Sequence, residues 1–346
     1  MEILTAILLT LFLFYIFVGT GLFLFKCVKY SSDSFGTIIF LAFAAGTGIV
    51  GELIFLLASV QKLSPQYILT MLLITLITAT AGWSTISFKD LLTILAPPEN
   101  RIEWFTAIGT LFILAAGLTL SQTPEISKDA LIYHLAVPKL YLKNNGFSFI
   151  SGNIYSNLPL QSEMLYTIAL FLKGDILAKG VNFLAFLTVL LWVKEFSSRI
   201  LNSSFPYLSM FIFAMLPTAF SLSHVSYADL YCCLYVLAAL HLFIQWQKKN
   251  SYTVIMLSAY FTGLAISTKY SALILPLLAL LGILINFRES RDMRKLLYTL
   301  LLFVLVTFAS GSLFYIKNFI LTGNPLYPFF YEFFGGRGLD RELASL

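Results

Sequence analysis

The chain has 346 residues, 59% hydrophobic and 11% charged, with a formal net charge of +5. Its mean hydropathy of +0.87 exceeds what a water-soluble core of this size needs, which excludes a soluble globular protein and points to a polytopic membrane protein. The basic residues form no contiguous patch of the kind that grips nucleic acid, so that partner is excluded too.

Lipid offers the backbone no hydrogen-bond partners, so apolar runs of about 20 residues are expected to be helices. Ten such runs follow one another: Ile3 to Phe25, Phe35 to Val60, Tyr67 to Phe88, Trp104 to Leu120, Ile176 to Val193, Phe205 to Leu222, Leu230 to Trp246, Tyr252 to Thr268, Tyr270 to Phe287 and Leu296 to Ile316. The first begins Met1-Glu2, acidic rather than basic, and no small-x-small site follows, so it is expected to stay as a helix. Cys27, Cys232 and Cys233 lie in or beside these runs, and no structural disulfide is expected.

Between the fourth and fifth runs lies the one long polar stretch, residues 121–175. Its segment from Leu158 to Phe171 is too short to cross a bilayer. Leu160, Met164, Leu165, Ile168, Phe171 and Leu172 share one helical face, with Gln161, Glu163 and Thr167 off it, which predicts an interfacial amphipathic helix. Ala130 to Leu142 reads as a second, less regular helix ended by Asn144-Asn145-Gly146.

Cytoplasmic loops retain Lys and Arg. With the N-terminus outside, the inner loops hold Lys26, Lys29, Lys89, Arg101, Lys194, Arg199, Lys248, Lys249, Arg288, Arg291, Arg294 and Lys295. The short outer turns hold only Lys62 and Lys269, the long stretch holds Lys128, Lys139, Lys143 and Lys173, the fifth helix starts with Lys179, and Lys317, Arg337 and Arg341 lie in the tail. This bias places the long polar stretch outside the cytoplasm, in a multi-pass protein of the inner (plasma) membrane.

That topology gathers polar residues distant in sequence at one face: Asp129, Tyr133, His134, Lys139 and Glu163 in the long loop, His224, Tyr227 and Asp229 before the seventh helix, Lys269 after the eighth, and Lys317 beyond the tenth. Ionisable groups beside apolar helices are functional candidates by default. Each also has a structural reading. Asp229 can cap the seventh helix, Lys269 can snorkel or pair with an acid, and Glu163 reads first as the wet face of its own helix. The spacings of His134 from Asp129 and of His224 from Asp229 allow a divalent metal, but zinc sites usually show denser His/Cys clusters, so no metal or other cofactor is assigned. His241 reads as a packed core residue and Glu52 as an interior acid.

The segments DALIYHLAVPKLYLKNNG, SNLPLQSEMLY, SYADLYCCLY, GLAISTKYSALILP and TGNPLYPFFYEFFGG, taken in order, resemble bacterial membrane glycosyltransferases of the C-type superfamily (GT-C). The likeness is to the branch of protein O-mannosyltransferases and aminoarabinose transferases, and it runs from about Trp104 to Gly336. The resemblance implies an all-α polytopic core at 104–336, including the outer loop 121–175 with its two interfacial helices. Residues 1–103 would then be an N-terminal three-helix addition and 337–346 a tail.

It further implies sugar transfer from a polyprenyl-phosphate donor to an extracytoplasmic acceptor. Asp129 stands at the family's catalytic aspartate, Asp229 at its later outer acid, and Lys269 at the lysine of its threonine-lysine motif. Ala130 stands where many relatives carry Glu, and most relatives continue with further helices or a soluble domain. A single displacement with Asp129 as base would invert the anomeric centre. Lys269, with Lys128, Lys139 or Lys317, would hold the phosphate, and Tyr133 would hydrogen-bond Asp129. The alternatives are a transporter or flippase of lipid-linked solutes, or a non-catalytic subunit of an envelope-glycan assembly.

Overall fold

The structure, a computed structural model, describes residues 2–32, 34–94, 97–287 and 292–339. Arg288, Arg291 and Arg341, used in the charge argument, and positions 340–346 of the tail lie outside the described residues. Every regular element among the described residues is helical, with no strand.

In chain order the first elements are α1 (Glu2–Cys27), α2 (Phe35–Ser59), α3 (Pro65–Trp83), α4 (Phe88–Ile94) and α5 (Arg101–Ser121). The polar stretch contributes a wide π-type turn (Ala130–His134), α6 (Ala136–Lys143) and α7 (Gln161–Leu172). There follow α8 (Asp175–Arg199), α9 (Pro206–Met215), α10 (Pro217–Ser223), α11 (Asp229–Lys249), α12 (Tyr252–Ile266), α13 (Ile274–Phe287), α14 (Met293–Gly311), α15 (Leu313–Thr322) and α16 (Tyr331–Phe334). Local chemistry sets the starts: Ser34 and Asn100 accept backbone N–H bonds at the heads of α2 and α5, and Pro65, Pro206 and Pro217 occupy first turns.

Eight helices among the described residues are long and apolar enough to cross a membrane, or nine if α9 and α10 count as one bent span. The sequence predicts ten, and the difference has physical causes. The sixth run breaks at Leu216, because Pro217 drives the residue before it out of the helical region; Leu216 sits at φ −58°, ψ 121°, and the halves bend by 77°. The eighth run is only the 15-residue α12, buried along most of its length, so its backbone is shielded by protein rather than by its own span. The tenth run keeps a membrane-length helix in α14; Ser312 ends it and starts α15, and Ser267 Oγ donates to the carbonyls of Ser310 and Gly311 beside that joint.

The segment treated in the sequence as a three-helix addition packs into the rest. α2 lies against α1, α7, α8, α11 and α12, and is the most enclosed element near the N-terminus. Its approach to α1 is backbone-close: a methyl group on Gly46 would fall on the Phe17 carbonyl oxygen, so only glycine fits.

Helix ends sort into two groups. At one end Tyr30 Oη meets Gln245 (2.9 Å), Ser34 meets Glu195, and Lys194 donates to the Ile94 carbonyl (3.0 Å). There the buried Glu103 also accepts the N–H groups of Tyr207 and Leu208, capping α9 from a neighbouring helix. At the opposite end the Leu63 N–H donates to the Asn145 carbonyl (2.8 Å), the Gln161 N–H to the Ser267 carbonyl (3.1 Å), and Lys179 to the carbonyls of Leu120 and Thr123 (2.9 Å each). The polar stretch 121–175 covers this second end.

Within that cover, α6 ends as expected, with Asn145 in the left-handed region (φ 56°). α7 does not match its expected character. Gln161, Ser162, Glu163 and Thr167 are as buried as the apolar side, because the turn bearing His134, and α2 and α8, close over every face. It is an internal helix, not an interfacial one with a wet side.

Candidate functional site

The site grows from α7 and the π-type turn above it. A π turn adds a residue to the helical circuit and widens it, and such turns recur at functional positions. Here it carries Tyr133 and His134. The His134 ring lies over Glu163, with Nδ1 2.5 Å from Oε1, and the second carboxylate oxygen accepts from Ser162 Oγ at 2.9 Å. Both partners are nearly sealed, at 3% and 1% side-chain exposure, so the contact is a buried, fully used carboxylate. The structural reading of Glu163 as a solvated face is therefore corrected.

Above this pair opens a cavity of about 320 Å³. Tyr133, His134, Glu163, Thr268, Lys269 and Ser271 supply its polar wall. Leu158, Pro159, Ala228, Tyr270 and Phe329 supply the rest. Phe329 is brought there by a loop that Asn324 shapes, donating to the carbonyls of Phe329 and Gly335 at 2.8 and 3.0 Å. Tyr270 Oη fastens the same loop through the Tyr327 carbonyl, at 2.9 Å.

Lys269 ends the α12–α13 hairpin and reaches Asp229, with Nζ 2.7 Å from Oδ1. Asp229 is not the helix cap expected of it. Ala228 occupies that position, and the Asp229 side chain is spent on Lys269 instead. The other structural reading of Lys269, an ion pair with an acid, is the one seen.

Asp129 sits half-buried at the head of the π-type turn and makes no side-chain cap bond there. It is not among the residues lining the cavity, but its charge acts on the hydroxyls of Tyr133 and Tyr227. Burial first, then the charges of Glu163, Asp129 and Asp229, push the Tyr133 hydroxyl well above the ordinary tyrosine range. Burial and Asp129 push Tyr227 the same way. Both phenols are thereby held neutral, as donors rather than bases. Their rings flank His134, with centroids 4.0 Å (Tyr133) and 5.2 Å (Tyr227) from the imidazole.

Of the sequence candidates, Tyr133, His134, Glu163 and Lys269 meet at the cavity, with Asp229 behind Lys269 and Asp129 and Tyr227 at the side. Lys139 is exposed and does not line the cavity. Lys317 is buried behind the loop, donating to the Ser156 carbonyl (3.0 Å) between the rings of Phe147 and Phe314. Its α15 lies beyond the membrane-length α14, and burial drives its ammonium down to about 7, against the pull of Glu163. Glu125 and Asp175 brace the loops: Glu125 accepts from the N–H groups of Ile126, Ser127 and Ser226, and its own N–H donates to Asp175.

Ser162, Tyr270 and Phe329 were not singled out from the sequence, although Tyr270 directly follows Lys269 and Phe329 lies in the TGNPLYPFFY run. Among the described residues no three His, Cys, Asp or Glu side chains group as metal ligands, and His134 and His224 turn instead to Glu163 and to Ser223.

Membrane-length helices with a polar-walled cavity at one end define a multi-pass membrane protein. The chain belongs to the family described as Domain of unknown function (DUF8201), whose model matches residues 3–335. No curated protein and no solved structure matches it.

Proposed function

We propose that the protein is an integral-membrane glycosyltransferase that moves a sugar from a polyprenyl-phosphate donor to an acceptor outside the cytoplasm, inverting the anomeric centre. The observation that carries this reading is the composition of the cavity. Its lining combines an ammonium, an imidazole and a phenol with Leu158, Pro159 and Phe329, and it sits at one end of a bundle of apolar helices. A lipid-linked sugar has that duality, a polar phosphosugar on a chain that stays in lipid. The Lys and Arg distribution supports an extracytoplasmic opening in the plasma membrane, and the motif resemblance to GT-C transferases supports the chemistry.

In this mechanism Lys269, steadied by Asp229, meets the donor phosphate. Asp129 takes the acceptor hydroxyl's proton as the oxygen attacks the anomeric carbon from the face opposite the phosphate. Tyr133, neutral and hydrogen-donating, orients the sugar. One carboxylate suffices, since no covalent sugar–enzyme intermediate forms in a single displacement.

The 77° break between α9 and α10 favours a second reading, a transporter of lipid-linked solutes, because broken spans line transport paths. The polar residues that line the cavity lie at one end of the bundle, which favours a surface reaction over a crossing. Purified protein incubated with a panel of polyprenyl-phosphate sugars and hydroxyl acceptors should release free polyprenyl phosphate. Translocation of a labelled lipid in vesicles without any release would establish the transporter instead.

A further inference from the structure

We propose that His134 is the group that receives the departing phosphate, and that Glu163 is the residue that positions it; the inference rests on the lipid-phosphate reading above. Three observations carry it. First, the imidazole lines the cavity while its Nδ1 is committed to Glu163, so Nε2 is the nitrogen left to face a ligand. Second, Glu163 is itself fixed through its other oxygen by Ser162, which leaves the ring little rotational choice. Third, Lys269, which lines the same cavity, is already matched by Asp229, so a phosphate bound there needs a further donor to balance its charge.

A carboxylate on one ring nitrogen sets the tautomer and orientation of the other. Glu163 supplies the counter-charge that an imidazolium in this enclosed place requires, and the π-faces of Tyr133 and Tyr227 suit a cation between them. In that state Nε2–H is the ring donor left for a ligand in the cavity that His134 lines. Of the charged groups around the dyad, Lys269 lines the same cavity, Asp129 and Asp229 act on the neighbouring Tyr133, and Lys317 feels the charge of Glu163.

During transfer the bond between the anomeric carbon and the phosphoryl oxygen breaks, and its electron pair stays on that oxygen. The acceptor oxygen forms the new bond to carbon and gives its proton to Asp129. His134 Nε2–H hydrogen-bonds the phosphoryl oxygen as charge builds on it, the role an oxyanion donor plays in acyl transfer.

The test uses farnesyl phosphate and farnesol as probes in detergent-solubilised full-length protein, alongside turnover of the polyprenyl-phosphate sugar that the wild type accepts. His134→Ala is expected to lose about 100-fold or more in kcat and to bind farnesyl phosphate at least tenfold more weakly while its affinity for farnesol holds. His134→Gln, whose amide can still donate, should recover part of both. Glu163→Gln keeps the volume but not the counter-charge, and should lower kcat more than it raises KM. A folded His134→Ala that binds farnesyl phosphate and turns over like wild type overturns the assignment of His134 and leaves sugar transfer intact. A wild type that binds farnesyl phosphate no better than farnesol overturns the lipid-phosphate reading itself.

Discussion

Lys269 and Asp229, 40 positions apart, form an ion pair of 2.7 Å beside the cavity, joining the α12–α13 hairpin to the first turn of α11. Each side chain is more than a third exposed, so the pair is screened and worth at most about 1 kcal/mol to folding. Its contribution lies in holding an ammonium at a fixed place.

Lys269→Met and Asp229→Asn are therefore expected to shift the unfolding free energy by less than about 1 kcal/mol while lowering sugar transfer at least tenfold. Because the residues act as one unit, the double variant should be little worse than either single one. Fluorescence unfolding in detergent and an assay of lipid-phosphate release read the two effects separately. Strictly additive losses in turnover would count against the coupling.

Asp129→Asn removes the proposed proton acceptor and little else, since the side chain caps no helix. Transfer should fall below detection while insertion, elution volume and thermal midpoint stay as in wild type. Turnover close to wild type in this variant would take Asp129 out of the mechanism.

Glu103 is a buried carboxylate whose two oxygens hold the N–H groups of Tyr207 and Leu208. Glu103→Ala strands those donors at the head of α9 and should destabilise the protein by about 2–4 kcal/mol. Glu103→Gln keeps one acceptor and should lose less. Equal midpoints for wild type and Glu103→Ala would show that α9 finds another cap.

Lys317 yields a pH signature. Its ordinary pKa is 10.5, and in the folded protein burial brings it down to about 7. Below about 7 both folded and unfolded chains carry the proton, and the folded state bears the full penalty of a buried charge. Between about 7 and 10.5 the unfolded chain binds more protons than the folded one, so stability rises with pH across that window. Lys317→Met should flatten this rise in the unfolding midpoint. A slope unchanged by the substitution would assign it to another group.

How much of this was legible from the residues differs by element. Span positions were largely readable, because lipid forces each long apolar run into a helix whatever its neighbours. Where a run is wrapped by protein, that constraint lapses, as along the buried α12, which stops at Ile266. The kink at Leu216 had a local signal in Pro217. The burial of Glu163 had none, because its partner His134 lies 29 positions away and the face that looked wet is covered only after the chain folds back. Common sidedness of Asp229 and Lys269 followed from topology, but that they would choose each other over Asp129 did not. The packing of α2 against α7, α8 and α11 was not readable from the chain, since it joins positions more than 100 residues apart.

The bracing by Glu125 has a mechanical consequence. One oxygen of its carboxylate holds the chain leading to Asp129, and the other holds Ser226, next to Tyr227. A single side chain is thus the rivet between the segment that would accept a proton and the aromatic panel facing it. Neither can drift alone, and any widening of the chamber to admit a bulky guest must swing both together, hinged on one acidic residue.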